Sequence, residues 1–134
     1  MLQPAEKSEM TPIFTGLKSV NTILYCARWK ETISFYRDLL RLPVIFSTDW
    51  FVEFELTETA RLSIADQRLA TIKSAEGNGI TLALEVSDIQ AVWEKSFKAG
   101  LKPTAIKTHN WNAYIFYIFD PEGHRLEFWK PEKK

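Results

Sequence analysis

The order strand, helix, three strands occurs twice in this chain at an offset of about 60 residues, and no other feature narrows the available folds as much. The first copy opens with the strand-like run Asn21-Thr22-Ile23-Leu24-Tyr25-Cys26. A helix is expected from about Lys30 to Leu40, because Trp29, Ile33, Tyr36 and Leu40 recur on one face. Pro43 closes it. Val44–Ser47, Trp50–Leu56 and Arg61–Ala65 then read as short strands. In the second, Val52, Phe54 and Leu56 alternate with Phe51, Glu53 and Glu55.

After a linker-like stretch ending in Glu76-Gly77-Asn78-Gly79, the order returns. Thr81–Val86 is a strand. Ser87-Asp88-Ile89-Gln90 has a capping-box pattern, with Ser87 as the cap and Gln90 reaching back. The helix it starts places Ile89, Val92, Trp93 and Phe97 on one face and ends at Gly100. Strands are expected near Pro103–Lys107, Ala113–Phe119 and Arg125–Trp129, the last two joined by the tight turn Asp120-Pro121-Glu122-Gly123. Leu24 aligns with Leu84, Cys26 with Val86, Ile33 with Trp93 and Pro43 with Pro103. Two helices among about eight strands are too few for a parallel α/β fold. The class is α+β, with antiparallel sheet dominating.

Composition excludes several functions. A chain of 134 residues that is 46% hydrophobic can bury a core, so it is not disordered. Lys and Arg balance Asp and Glu at 17 each with no basic stripe, which argues against nucleic acid or an anionic membrane as partner. No apolar run approaches a membrane span, and the N-terminus lacks the apolar stretch of a signal peptide. A lone cysteine, Cys26, rules out an intrachain disulfide framework and points to the cytoplasm. Residues 1–17 read as an N-terminal arm and 18–130 as one domain. Its modules span about 18–66 and 79–130 with linker 67–78, and 131–134 form a tail.

Three stretches, Ile33-Ser34-Phe35-Tyr36-Arg37-Asp38-Leu39-Leu40, Leu84-Glu85-Val86-Ser87-Asp88-Ile89 and Asp120-Pro121-Glu122-Gly123-His124-Arg125-Leu126-Glu127-Phe128, resemble the glyoxalase / bleomycin-resistance / extradiol-dioxygenase (vicinal oxygen chelate) superfamily. The likeness runs from about Ser19 to Lys130, and Arg41 departs from it by standing where the family usually has glycine. It implies two tandem βαβββ modules forming a curved, cup-like, mostly antiparallel sheet around a small ligand. Metal-using members present up to four ligands there, and the matching positions are Asn21, Ser63, Thr81 and Glu127. Only Glu127 is an ordinary metal ligand, whereas a transition metal needs three or four His or carboxylate donors.

The resemblance is therefore to the branch that sequesters drugs without a metal or other cofactor. The expected function is metal-independent binding of a small organic ligand in the cup. The alternative is a lyase, isomerase or dioxygenase-like enzyme in which Glu127, the one candidate catalytic residue, acts as base or residual metal ligand. A homodimer is expected, since the outer strands leave edges that need covering.

Among other residues, Trp111 stands between two asparagines in a polar loop and could stack on a flat ligand. Glu53, Glu55, Glu85 and Glu127, if they share the cup, favour a cationic or hydroxyl-rich ligand. His124 reads as a structural histidine, His109 as a loop residue and Cys26 as an inert buried thiol. No Ser-His-Asp order, phosphate loop or CxxC is present.

Overall fold

A computed structural model describes residues 10–109 and 112–132. Strand β1 (Val20–Cys26) runs parallel to β4 (Ala60–Asp66). β4 pairs antiparallel with β3 (Phe51–Glu55), and β3 with β2 (Val44–Ser47). The second half repeats this order as β5 (Thr81–Glu85), β8 (Arg125–Pro131), β7 (Ala113–Phe119) and β6 (Lys107–His109). The fold is thus α+β, two tandem βαβββ modules. Each sheet has one parallel and two antiparallel pairings, and the strands stay in two open four-stranded sheets.

The two-residue period of a strand decides which side chains go inside. Leu24 and Cys26, Val52 and Phe54, Leu62 and Ile64 face inward from the first sheet. Phe116 and Ile118, Leu126 and Phe128 do so from the second, and all belong to one buried cluster. The shared core therefore lies between the helix-covered sides of both sheets. Each polar face is on the far side of its sheet from that core.

The first helix departs from a regular 3.6-residue period. Helix α1 covers Trp29–Ser34, and the chain then widens into a π turn over Phe35–Leu39 instead of continuing as α-helix to Leu40. The amide of Leu40 donates to Phe35 O at 2.9 Å. An α-helix sets consecutive side chains roughly 100° apart, yet neighbours Phe35 and Tyr36 are both buried, their rings edge-on at 5.0 Å. The wider turn lets both enter the core.

Helix α2 (Ile89–Lys98) is capped by Asp88 rather than Ser87. The Asp88 carboxylate accepts from Ala91 N at 3.0 Å, and Gln90 donates to Glu94 instead of reaching back. Asp88 is the residue with non-helical backbone next to the first turn; Ser87 lies one position too early. Ser96 takes the buried place expected of Phe97, which is exposed and stacks on Trp93 at 5.3 Å. Gly100, at φ +78°, ends the helix as expected. Strand β6 starts at Lys107, not Pro103, and takes in the backbone of His109. Pro103 has no N–H to donate, and Thr104 instead bridges to Tyr117 through its amide and hydroxyl without forming a ladder.

The β7–β8 turn binds the two halves together. Asp120 Oδ1 accepts from the amides of Glu122, Gly123 and His124 at 2.9–3.0 Å. Its Oδ2 accepts from the Tyr36 hydroxyl at 2.7 Å and lies 2.8 Å from His124 Nδ1. Glu122 reaches across to the start of α1 and accepts from Ala27 N at 2.8 Å and Arg28 N at 2.7 Å, while the Ser74 hydroxyl donates to it as well. Helix α1 has no side-chain cap of its own, and a carboxylate from the second module instead binds the two amides that lead into it, at the positive end of its dipole. Gly77 and Gly123 meet backbone to backbone in left-handed conformations; a Cβ on Gly77 would fall 2.2 Å from the Gly123 carbonyl carbon. Burial, reinforced by Glu122 and Asp120, pushes the Cys26 thiol up to about 12, which leaves it inert. His124, buried against Asp120, is structural.

Candidate functional site

The polar face of the first sheet carries Asn21 on β1, Arg61 and Ser63 on β4, and Glu53 and Glu55 on β3. Their places follow from the registers Asn21↔Arg61, Glu53↔Ser63 and Glu55↔Arg61. Ser63 donates its hydroxyl to Asn21 Oδ1 at 2.8 Å, so two of the candidate residues meet directly. Arg61 lies 3.5 Å from Glu53 and also donates to the carbonyls of Thr57 and Glu58 in the preceding turn.

The second sheet repeats the layout. Thr81 on β5 is opposite Arg125 on β8, and Glu127 lies between Ala83 and Tyr117. Arg125 Nε donates to Thr81 Oγ1 at 3.0 Å, and its guanidinium carbon lies 4.4 Å from the centre of the Tyr117 ring. This geometry combines a hydrogen bond with a cation–π contact. Half-buried Glu127 shares the face with Thr81 one row away. A hollow of about 290 Å³ lies beside Tyr117 and is lined also by Lys107 and Ile115, but not by Thr81, Arg125 or Glu127. The candidate Trp111 lies outside the described residues.

Sequence reasoning missed the arginines as a pair. Arg61-Leu62-Ser63 and Arg125-Leu126-Glu127 open the last strand of each module, and in both the arginine stands beside the first-strand candidate, Asn21 or Thr81. The repeated Arg-Leu was the available signal. With Arg61 on Glu53 and Arg125 on Thr81, the faces carry mixed charge, not the acidic lining expected from Glu53, Glu55, Glu85 and Glu127 alone.

The donor set can be tested against a metal ion. Three of the four positions offer neutral oxygens. Ser63 already donates its proton to Asn21 Oδ1, and a guanidinium is bonded to Thr81, where it would repel a cation. Glu127 alone remains, too little for zinc, nickel or iron. No group of three His, Cys, Asp or Glu among the described residues is placed to hold a metal. The residues do not fit the ion.

A cavity of about 640 Å³ lies elsewhere, on the helix-covered side between the modules. No helix among the described residues is long and apolar enough to cross a membrane.

Comparison with known proteins agrees with this architecture. The family model for the Glyoxalase/Bleomycin resistance protein/Dioxygenase superfamily matches residues 18–128. No curated protein sequence matches the chain. Among solved structures, a glyoxalase/bleomycin resistance protein/dioxygenase from Nocardioides superposes with a TM-score of 0.74 at 18% identity, covering 95% of this chain and 91% of that one. An antibiotic binding protein from Streptomyces sp. CB03234 gives 0.72 at 13% identity, covering 91% and 100%. A bleomycin resistance determinant encoded on the transposon Tn5 gives 0.68 at 14% identity, covering 84% and 97%. At these identities the likeness is one of fold.

Proposed function

This chain belongs to the glyoxalase/bleomycin resistance protein/dioxygenase superfamily, and from that premise we propose that it binds and sequesters a small organic ligand on its polar sheet faces without a metal ion. The observation that carries this reading is the state of the four inherited positions. Fully buried Ser63 donates to Asn21 and Arg125 donates to Thr81, so the exposed surface of the site is built from neutral groups and a guanidinium. Such a surface suits a hydroxyl-rich ligand that offers both donors and acceptors. Tyr117 and half-buried Trp129 supply aromatic area beside them. The antibiotic-binding and bleomycin-resistance relatives lend support to this branch of the family.

A homodimer working in the cytoplasm completes the proposal. Within one chain the modules meet through their helix-covered sides, which leaves each polar face turned outward. Ile23, Phe46 and Phe119 are exposed on those faces, and a second copy that set its second sheet against the first sheet here would bury them and close a cup. A sedimentation mass of one chain at micromolar concentration would count against that pairing.

The test uses protein dialysed against EDTA and titrated calorimetrically with metal-free bleomycin. Saturable binding is expected, and Glu127→Gln should weaken it by about 1–3 kcal/mol, the scale of a charge-assisted hydrogen bond. Unchanged affinity would put Glu127 outside the site. Elemental analysis showing about one transition metal per chain, removable together with binding, would overturn the metal-free reading.

A further inference from the structure

The cavity between the modules has a volume of about 640 Å³ and is lined by nine leucines, with Leu62, Leu82, Leu84, Leu126 and Phe128 rising from the helix-covered sides of both sheets. That volume falls within the range of small-molecule sites. Its walls offer an occupant no hydrogen bond from a side-chain hydroxyl. Tyr36 already donates to Asp120, and Ser96 donates to Val92 O at 2.8 Å. Anything held there must have an apolar body.

The mouth is different. Arg41, Lys95 and Lys98 line it, all three exposed, and no carboxylate is among the lining residues. None of the three has an ion-pair partner among the described residues. Lys95 and Lys98 are on the last turn of α2. Arg41 is held at φ +61°, in the left-handed region that favours glycine. Three unpaired cations around a leucine-lined hollow complement an apolar tail ending in a negative charge.

We propose that this cavity is a second binding site, separate from the polar sheet faces, for an anionic amphiphile with an aliphatic body, such as a fatty carboxylate. The tail occupies the space between Leu62, Leu84 and Leu126, and the carboxylate stays at the mouth among Arg41, Lys95 and Lys98. Residues of both modules line the site, so its occupant reports on their docking.

The experiment is calorimetric titration of the full chain with sodium dodecanoate below its micelle concentration, with dodecyltrimethylammonium as the cationic comparator. The expected result is saturable binding of about one dodecanoate per chain and much weaker binding of the ammonium. The double variant K95E/K98E changes exposed side chains only; it should weaken dodecanoate by about tenfold, the combined scale of two partly screened ion pairs reversed. Ala99→Trp narrows the mouth without altering charge and should abolish binding, with the unaltered melting temperature of each variant confirming its fold. The proposal is overturned if dodecanoate does not bind saturably or if the ammonium binds as tightly. It also fails if K95E/K98E leaves affinity unchanged. Full binding to Ala99→Trp would reduce the effect to ion pairing on the surface and overturn it equally.

Discussion

Replacing Tyr36 with phenylalanine removes one oxygen from the centre of the molecule and nothing else. Tyr36 is fully buried, and its hydroxyl donates at 2.7 Å to Asp120 Oδ2, whose carboxylate is itself buried. In the intact protein Asp120 accepts three backbone amides on Oδ1, and on Oδ2 the tyrosine together with His124 when Nδ1 carries the proton. The variant leaves Oδ2 with His124 alone. A hydrogen bond to a charged group contributes about 1.5–3 kcal/mol, and phenylalanine keeps the packing against Phe35 and Phe54. We therefore expect a loss of about 2 kcal/mol. Urea unfolding followed by circular dichroism should show a lower midpoint at unchanged slope, since the buried area is the same. The companion Asp120→Asn variant completes a double-mutant cycle, in which the tyrosine deletion should cost much less once the carboxylate is gone. A loss below about 0.5 kcal/mol, or the same loss in both backgrounds, would refute the reasoning that this bond ties the modules together.

Other predictions are simpler. Gly77→Ala brings a Cβ to 2.2 Å from Gly123 and strains a left-handed residue; a loss of about 3 kcal/mol or more is expected in thermal melts. Asp88→Ala removes the cap of α2 and should cost about 1 kcal/mol by the same measurement, whereas Ser87→Ala should be nearly silent. The folded-state pKa of Cys26, about 12 against an ordinary 9.0, means that the unfolded chain loses its thiol proton first. The stability tied to that thiol is whole below pH 9.0 and is lost as pH rises toward 12. A urea series across that window should fall less steeply for Cys26→Ala than for the natural chain.

The sequence was legible where a single residue's neighbours decide its place. Parity along β8 puts Leu126 and Phe128 inside and Arg125, Glu127 and Trp129 on the other face, as the alternation alone predicts. The same parity brings Asn21 and Ser63 together. It failed where a distant partner sets the outcome. The π turn that buries both Phe35 and Tyr36 accompanies a bond to a carboxylate 84 residues away, and local periodicity carries no trace of it. Asp120 and Glu122 read as turn formers because their other role, holding Tyr36 and the start of α1, needs the folded chain. Arg61 was overlooked for a different reason: on one strand it is simply a charge on a polar face, and only the register beside Asn21, repeated by Arg125 beside Thr81, makes it part of a site.

The bond from Glu122 to Ala27 spans 95 residues and has a consequence for the order of events during synthesis. The amides that open α1 are produced well before the carboxylate that satisfies them. Closing so long a loop is entropically costly and slow compared with forming a hairpin. The first half of the chain should therefore emerge from the ribosome with its helix frayed and its leucine-rich underside uncovered. It would settle only when the β7–β8 turn arrives, so that two modules which look independently foldable mature as one cooperative unit, with aggregation a hazard during the wait.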